Sequence, residues 1–209
     1  MNPPITLGEL INSLNNCKTN KAPGPDEITI LKLLPDDWLL YLLSFFNDTV
    51  QQQKTPDHWS KINIKMIYKK GDKEISDNYR PISLINTSLK LFTQILLFRQ
   101  RKWLDSNKIL PEWQSGFHKT RSCMDNIFFL TSVVKIKLSK PKGKLYALFV
   151  DFRKAFDSLD HNLLWRKLSN MKIDYKFNNI MKSIYDAAEG AIFSSQRSTP
   201  YVKITKGVL

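Results

Sequence analysis

The sequence has few cysteines, few glycines and few acids, and each shortage excludes something. Cys17 and Cys123 are the only thiols. They stand too far apart for a metal-binding or redox pair, so they read as reduced thiols of an intracellular protein. The seven glycines, at positions 8, 24, 71, 116, 143, 190 and 207, are scattered. That excludes a Walker loop and a dinucleotide-binding turn, both of which need clustered glycines to bring backbone amides against phosphate. His58, His118 and His161 are isolated, with no Cys-x-x-Cys or His-Glu-x-x-His pattern, so zinc chemistry has no donor set. No long apolar run occurs either. Trp38 to Phe46 spans nine residues between aspartates, against the roughly 20 needed to cross a membrane. The N-terminus has no basic stretch followed by an apolar one, which argues against a secretory signal.

Acids are outnumbered: 19 Asp and Glu face 32 Lys and Arg, a formal charge of +13 over 209 residues. With 42% hydrophobic residues the chain has material for a core. Its surplus charge points to a polyanion, nucleic acid or an anionic surface.

Local signals divide the chain. Thr6-Leu7-Gly8-Glu9 is a capping box that predicts a helix to about Cys17. Asn20 to Asp26, with Pro23 and Pro25 around Gly24, breaks it, and Asp26 is placed as a cap for the segment that follows it. A helix over Asp36 to Gln53 carries Trp38, Tyr41, Phe45 and Phe46 as core aromatics. Ile62, Ile64, Met66 and Tyr68 alternate with Asn63, Lys65, Ile67 and Lys69 as in a half-buried strand. Gly71-Asp72 turns the chain, and Tyr79 to Ile85 returns as a second strand that Pro81 confines to an edge or to its start. The two form a basic hairpin near 62–85. Asn86 or Thr87 starts a long helix with Leu89, Phe92, Leu96 and Leu97 inward, ending near Asn107. After a loop over Pro111 to Arg121, Ser122 opens another helix, Ile127 to Leu138. The lysines at 135, 137, 140, 142 and 144 read as a solvated connection.

Leu145 to Val150 is an unbroken apolar run, the pattern of a strand covered on both faces, and Asp151 closes it. Ser158 and Asp174 are placed to cap two further helices, the second ended by Gly190. Ala191 to Gln196 and Tyr201 to Thr205 read as a closing hairpin.

A strand-end aspartate must be paired to offset its lost hydration. Asp151 suits a magnesium ion, which takes one or two carboxylates with substrate phosphates and water; taken alone, such an aspartate is more often structural, capping the next turn or pairing with Arg153 or Lys154. Phe156 reads as a flat wall beside such a site or as core. Asp157 and Asp160 read as helix-start acids. Lys69 and Arg80, on the two hairpin arms, could clamp a triphosphate or be surface charges.

Together the segments resemble the reverse transcriptases of non-LTR (LINE-type) retrotransposons. Asn20-Lys21-Ala22-Pro23-Gly24-Pro25-Asp26 resembles the block that opens the domain. Asn78-Tyr79-Arg80-Pro81-Ile82-Ser83-Leu84 resembles the fingers signature, and Gln114-Ser115-Gly116-Phe117 the next block. Phe149 to Asp157, Phe-Val-Asp-Phe-Arg-Lys-Ala-Phe-Asp, resembles the first palm motif. The resemblance implies an α+β fold of polymerase fingers plus partial palm, mostly helical with a small antiparallel sheet. Residues 1–143 would be the fingers-like region with an N-terminal extension, and 144–209 the partial palm.

The implied reaction is RNA-directed DNA synthesis by metal-dependent nucleotidyl transfer. Its partners are an RNA template, a DNA primer and deoxynucleoside triphosphates, with no membrane and a nuclear site of action. Asp151 would be the catalytic residue and ligand of Mg2+, and Phe156 the gate against ribonucleotides. Lys69 and Arg80 would contact the triphosphate, and Gln114, Phe117, Lys119 and Arg121 would lie near the template. Ile204 to Leu209 resembles the approach to the second palm motif. No Tyr- or Phe-Ala-Asp-Asp occurs, so this polypeptide alone is expected to be inactive. The alternative is a non-catalytic nucleic-acid-binding remnant of a retroelement.

Overall fold

The structure, a computed structural model, describes residues 3–18, 22–28, 31, 34–118, 120–194 and 197–209. Among these, helices α1 (Leu7–Asn16), α2 (Asp36–Gln52), α3 (Thr87–Ser106), α4 (Cys123–Leu138), α5 (His161–Asn170) and α6 (Tyr175–Ala187) accompany strands β1 (Lys61–Tyr68), β2 (Tyr79–Leu84), β3 (Glu189–Ile192) and β4 (Val202–Lys203). The fold is α+β. It divides into one unit of residues 1–102 with 155–209 and another of 103–154. That division by packing differs from the 1–143 and 144–209 division, which is one by role.

In the larger unit the sheet runs β2-β1-β3-β4. β1 and β2 pair antiparallel, Ile67 opposite Arg80 and Tyr68 opposite Tyr79. Pro81, having no amide hydrogen to donate, sits on the edge strand as expected. β3 lies parallel to β1, Lys61 opposite Glu189, and antiparallel to β4. The sheet is therefore mixed, not purely antiparallel. A parallel neighbour reached across more than a hundred residues leaves no local turn signal.

Gly190 does not end α6, which stops at Ala187. It lies in β3, where a Cβ would stand 2.6 Å from Ile64 Cδ1. Ser158 does not cap α5; Asp160 does, its carboxylate accepting from Leu163 N at 3.0 Å. Asp174 caps α6 as expected. The far end of the expected 191–196 strand includes residues outside those described.

The core lies where α1, α2, α3 and α6 meet β1. Phe46, Phe92, Leu10, Leu89, Leu91, Ile95 and Ile62 are fully buried. The α2 face carrying Phe46 and Thr49 turns inward, whereas Trp38 and Tyr41, on the neighbouring face, are 58% and 66% exposed. They are not core residues. Helical periodicity separates them from Phe46, which an apolar count along the segment cannot do.

The N-terminal segment is tied to α3. The capping box of α1 is complete, with Thr6 and Glu9 exchanging bonds. The same Glu9 carboxylate takes Arg99 Nε and Nη2, each at 2.7 Å. Arg99 also donates to the Pro3 and Pro4 carbonyls. The guanidinium holds the Glu9 carboxyl down from 4.5 to about 2. A depressed carboxyl pKa stabilises the fold above the unfolded value and loses that contribution as pH falls through the folded one. With water screening the partly exposed Glu9, the contribution is about 1–2 kcal/mol. Urea unfolding from pH 6 down to pH 2 should therefore show wild type losing this margin over Arg99→Met between pH 4.5 and 2. A constant difference between the two proteins across that range would refute the linkage.

In the smaller unit, Ser122 and Asp125 form a second capping box at the start of α4. No side chain of α4 is buried. The expected strand at 145–150 is absent: this segment joins no described strand, and Tyr146 and Leu148 are 89% and 90% exposed. An apolar run becomes a strand only when a neighbour takes its backbone hydrogen bonds, and no described strand lies alongside.

Candidate functional site

The hairpin is the best-defined part of the candidate site. Lys69 N donates to Asn78 O at 2.9 Å, extending the β1–β2 ladder by one step. Gly71, at φ +98°, turns the chain, and Asn78 Nδ2 closes the loop on Asp72 O at 2.7 Å. Side chains directly opposite one another share a face, as do those two apart on one strand. Arg80 stands opposite Ile67, so Arg80 and Lys69 fall on one face with Lys65. All three are exposed. The hairpin thus brings two of the expected triphosphate contacts together.

The Pro23-Gly24-Pro25-Asp26 block anchors the far end of that hairpin. Asp26 caps a helix remote in sequence: its Oδ2 accepts from Thr87 N, the first residue of α3, at 2.6 Å. Thr87 Oγ1 donates to Ile28 O at 2.6 Å and Lys90 Nζ to Ala22 O at 3.3 Å. A Cβ on Gly24 would stand 2.1 Å from Ile85 O, so the main chains touch there. Burial lowers the Lys90 pKa, and the Asp26 charge partly restores it. Asn20 and Lys21 of this block lie outside the described residues.

Phe156 belongs to the same unit and is 57% exposed. Its carbonyl accepts from Val208 N at 3.1 Å, and Leu159 O accepts from Gly207 N at 2.8 Å. Asp160 and Lys206 pair antiparallel. His161 Nε2 lies 2.8 Å from Gly207 O, so it is the protonated nitrogen, since a carbonyl only accepts. The His161 ring stands edge-on to Tyr185 at 4.9 Å. Burial pushes the Tyr185 phenol up. Sequence reasoning missed His161 and Gly207, because neither a positive φ nor a contact across 46 residues has a local signature.

The remaining residues belong to the smaller unit. Asp151 is exposed on the unpaired segment, and among the described residues its carboxylate has no hydrogen bond or ion pair. The expectation of a buried strand end does not hold, and neither does a link from Asp151 to Arg153 or Lys154. Gln114 Nε2 donates to Gly116 O at 3.3 Å. Phe117, at φ +62°, is exposed, as is Arg121. Lys119 lies outside the described residues. No group of three or more metal-ligating side chains occurs among those described, and no described helix is long and apolar enough to cross a membrane.

Comparison with known proteins gives these positions a context. Residues 67–208 match a family described as reverse transcriptase (RNA-dependent DNA polymerase), which sets the chain among nucleic-acid polymerases. The probable RNA-directed DNA polymerase from transposon X-element of Drosophila melanogaster is 33% identical over 95% of this chain and 22% of its own length. That from transposon BS of the same fly is 31% identical over 80% of this chain and 19% of its own length. The RNA-directed DNA polymerase from mobile element jockey, also of Drosophila melanogaster, is 32% identical over 75% and 17%. The chain belongs to the reverse transcriptase family. It spans about one fifth of the length of these curated relatives.

Proposed function

We propose that the chain is the fingers and first palm segment of a retrotransposon polymerase that copies RNA into DNA. The observation that carries this reading is the family match over 67–208, which contains the hairpin cations and the Asp151 to Asp157 block. Residues 1–143 serve as the fingers-like region and 144–209 as the partial palm. Lys69 and Arg80, sharing a hairpin face, hold the triphosphate, Lys69 as a point charge and Arg80 as a fork. Phe156 stands against the sugar and rejects a 2′-hydroxyl. Gln114, Phe117, Lys119 and Arg121 lie along the template strand.

Asp151 fits a magnesium ion as one hard oxygen ligand, being exposed and uncommitted. When bound, magnesium supplies charge stabilisation for the oxygens of phosphoryl transfer. Two ions in line need further carboxylates, and the sequence contains no paired-aspartate motif. The 209-residue chain alone is therefore expected not to extend a primer.

A chimera with residues 1–209 in place of the matching segment of the X-element polymerase tests the reading. It should extend a DNA primer on RNA with deoxynucleotides. Extension at the level of a chimera carrying scrambled residues 67–208 would reject it.

The second reading, a non-catalytic nucleic-acid-binding remnant, is favoured by the charge of +13 together with the lack, among the described residues, of a group of three or more metal-ligating side chains. In either case the chain alone should bind an RNA–DNA duplex mainly through phosphates. With about four neutralised, affinity should drop roughly a hundredfold between 50 and 200 mM salt. Fluorescence anisotropy measures it, and a flat salt response would count against both readings.

A further inference from the structure

The main chain beneath Phe156 is gripped by a segment remote in sequence. We infer that Gly207 is a positioning residue for Phe156, holding its main chain through a backbone clasp that His161 locks. This rests on the reading of Phe156 as a sugar gate and adds what sets the height of its ring.

Three observations converge. Gly207 is buried and has φ +88°, a conformation that costs any residue with a Cβ. A Cβ there would stand 3.1 Å from Asp157 O, 3.2 Å from Asp157 Cα and 3.3 Å from Phe156 O. The close approach is thus to the main chain of the gate residue and its neighbour, which cannot move aside as a flexible side-chain tip could.

Hydrogen bonds hold the two segments on both sides of that contact. Val208 N reaches Phe156 O and Gly207 N reaches Leu159 O. His161 Nε2 donates to Gly207 O. The imidazole is itself held: its ring packs edge-on to Tyr185 at 4.9 Å, and the Trp165 ring packs edge-on to Tyr185 at 5.2 Å. Phe156 is more than half exposed. The 206–208 segment fixes the backbone from which its ring projects.

A side chain at 207 has two ways out, and both disturb Phe156. If φ stays positive, the Cβ presses residues 156–157 away by a few tenths of an ångström. If φ reverts to a negative value, the Val208 amide turns from Phe156 O and the clasp opens. Misplacement on this scale costs rate and selectivity wherever reacting groups must be aligned.

The test uses the full 209-residue chain with 4-fluorophenylalanine placed at 156. Fluorine NMR should give one line in the unsubstituted protein, and Gly207→Ala should shift it by more than its width or split it. Hydrogen exchange at the Val208 amide should be protected at least about a hundredfold, and Gly207→Ala should lose about tenfold or more of that protection. An unprotected Val208 amide, or a fluorine line unmoved by Gly207→Ala, overturns the inference.

In the X-element chimera, Phe156→Ala should lose about a hundredfold in discrimination against ribonucleotides, the usual limit for rejecting one added hydroxyl by shape. Gly207→Ala and His161→Phe should lose about tenfold each, with His161→Gln, which keeps a donor, recovering most of it. Should Phe156→Ala change nothing, the gate reading fails while the fluorine and exchange results still judge the clasp. If Phe156→Ala relaxes selection and Gly207→Ala does not, the clasp is refuted.

Discussion

Asp151→Asn in the chimera should lower the single-turnover extension rate at least about a thousandfold, the scale on which one preorganised charge-stabilising group matters. The substitution is nearly isosteric and leaves a carbonyl oxygen, so only the negative charge is lost. Magnesium discriminates on that charge, taking carboxylates in preference to neutral amides. The surroundings of Asp151 make the result readable. Its side chain is exposed and unpartnered among the described residues, so replacement should change stability by no more than about 0.5 kcal/mol. A capping or ion-pairing aspartate would show the opposite pattern, with stability lost and rate retained. Thermal melts beside the rate measurement separate the two. Excess magnesium should restore part of the Asp151→Asn rate, because a weakened site is refilled by mass action. A rate within about tenfold of the parent would remove Asp151 from the chemistry.

What could be read in the sequence was what is settled locally. Thr6 with Glu9, Asp174 and the Ser122 helix start are contests decided within a few residues, and all three stand as read. The hairpin was legible for the same reason: alternation in β1 and Pro81 in β2 left one register with the apolar side inward, and that register put Lys69 and Arg80 on one face. Asp26 reads as a cap for the segment that follows it, but the helix it caps starts about sixty residues on, and nothing within its own segment names that partner.

Where the reading failed, an unseen neighbour decided the outcome. Leu145 to Val150 has strand chemistry and no described strand beside it. Gly190 looks like a helix stop until Ile64 is placed against it. Gly207 and His161 matter only because residues 206–208 return to 156–161. Of the candidate site, Lys69 and Arg80 are brought together; Asp151, Gln114, Phe117 and Arg121 fall in the smaller unit and Phe156 in the larger.

The largest loss of stability should come from Phe92→Ala, about 3–5 kcal/mol. Phe92 is fully buried on α3, with the Phe46 ring at 5.2 Å and the Trp59 ring at 5.3 Å. These rings join α2, the 57–59 turn and α3, so truncation removes contacts between three elements. The cost depends on whether neighbours can fall into the space, and here they are tethered. Trp59 Nε1 donates to Ser88 Oγ at 2.9 Å, one turn before Phe92 on the same helix. Asn86, at the start of α3, donates to His58 O at 2.6 Å. Swinging the indole inward would break the first bond and strain the second, so most of the cavity should persist and the loss should lie toward the upper end.

Phe92→Leu keeps most of the volume and should cost no more than about 1.5 kcal/mol. Urea unfolding with far-ultraviolet circular dichroism as the probe measures both, and an unchanged m-value would assign the difference to the native core. A domain of ordinary stability has about 5–15 kcal/mol in all, so Phe92→Ala leaves little reserve. The hairpin should suffer with it, because β2 runs directly into α3 and Asp26 holds that junction. Phe92→Ala should therefore weaken the triphosphate binding proposed for Lys69 and Arg80, although neither touches the mutated site. A loss below about 1.5 kcal/mol would mean that the ring cluster closes over the gap and is not the keystone between α2 and α3.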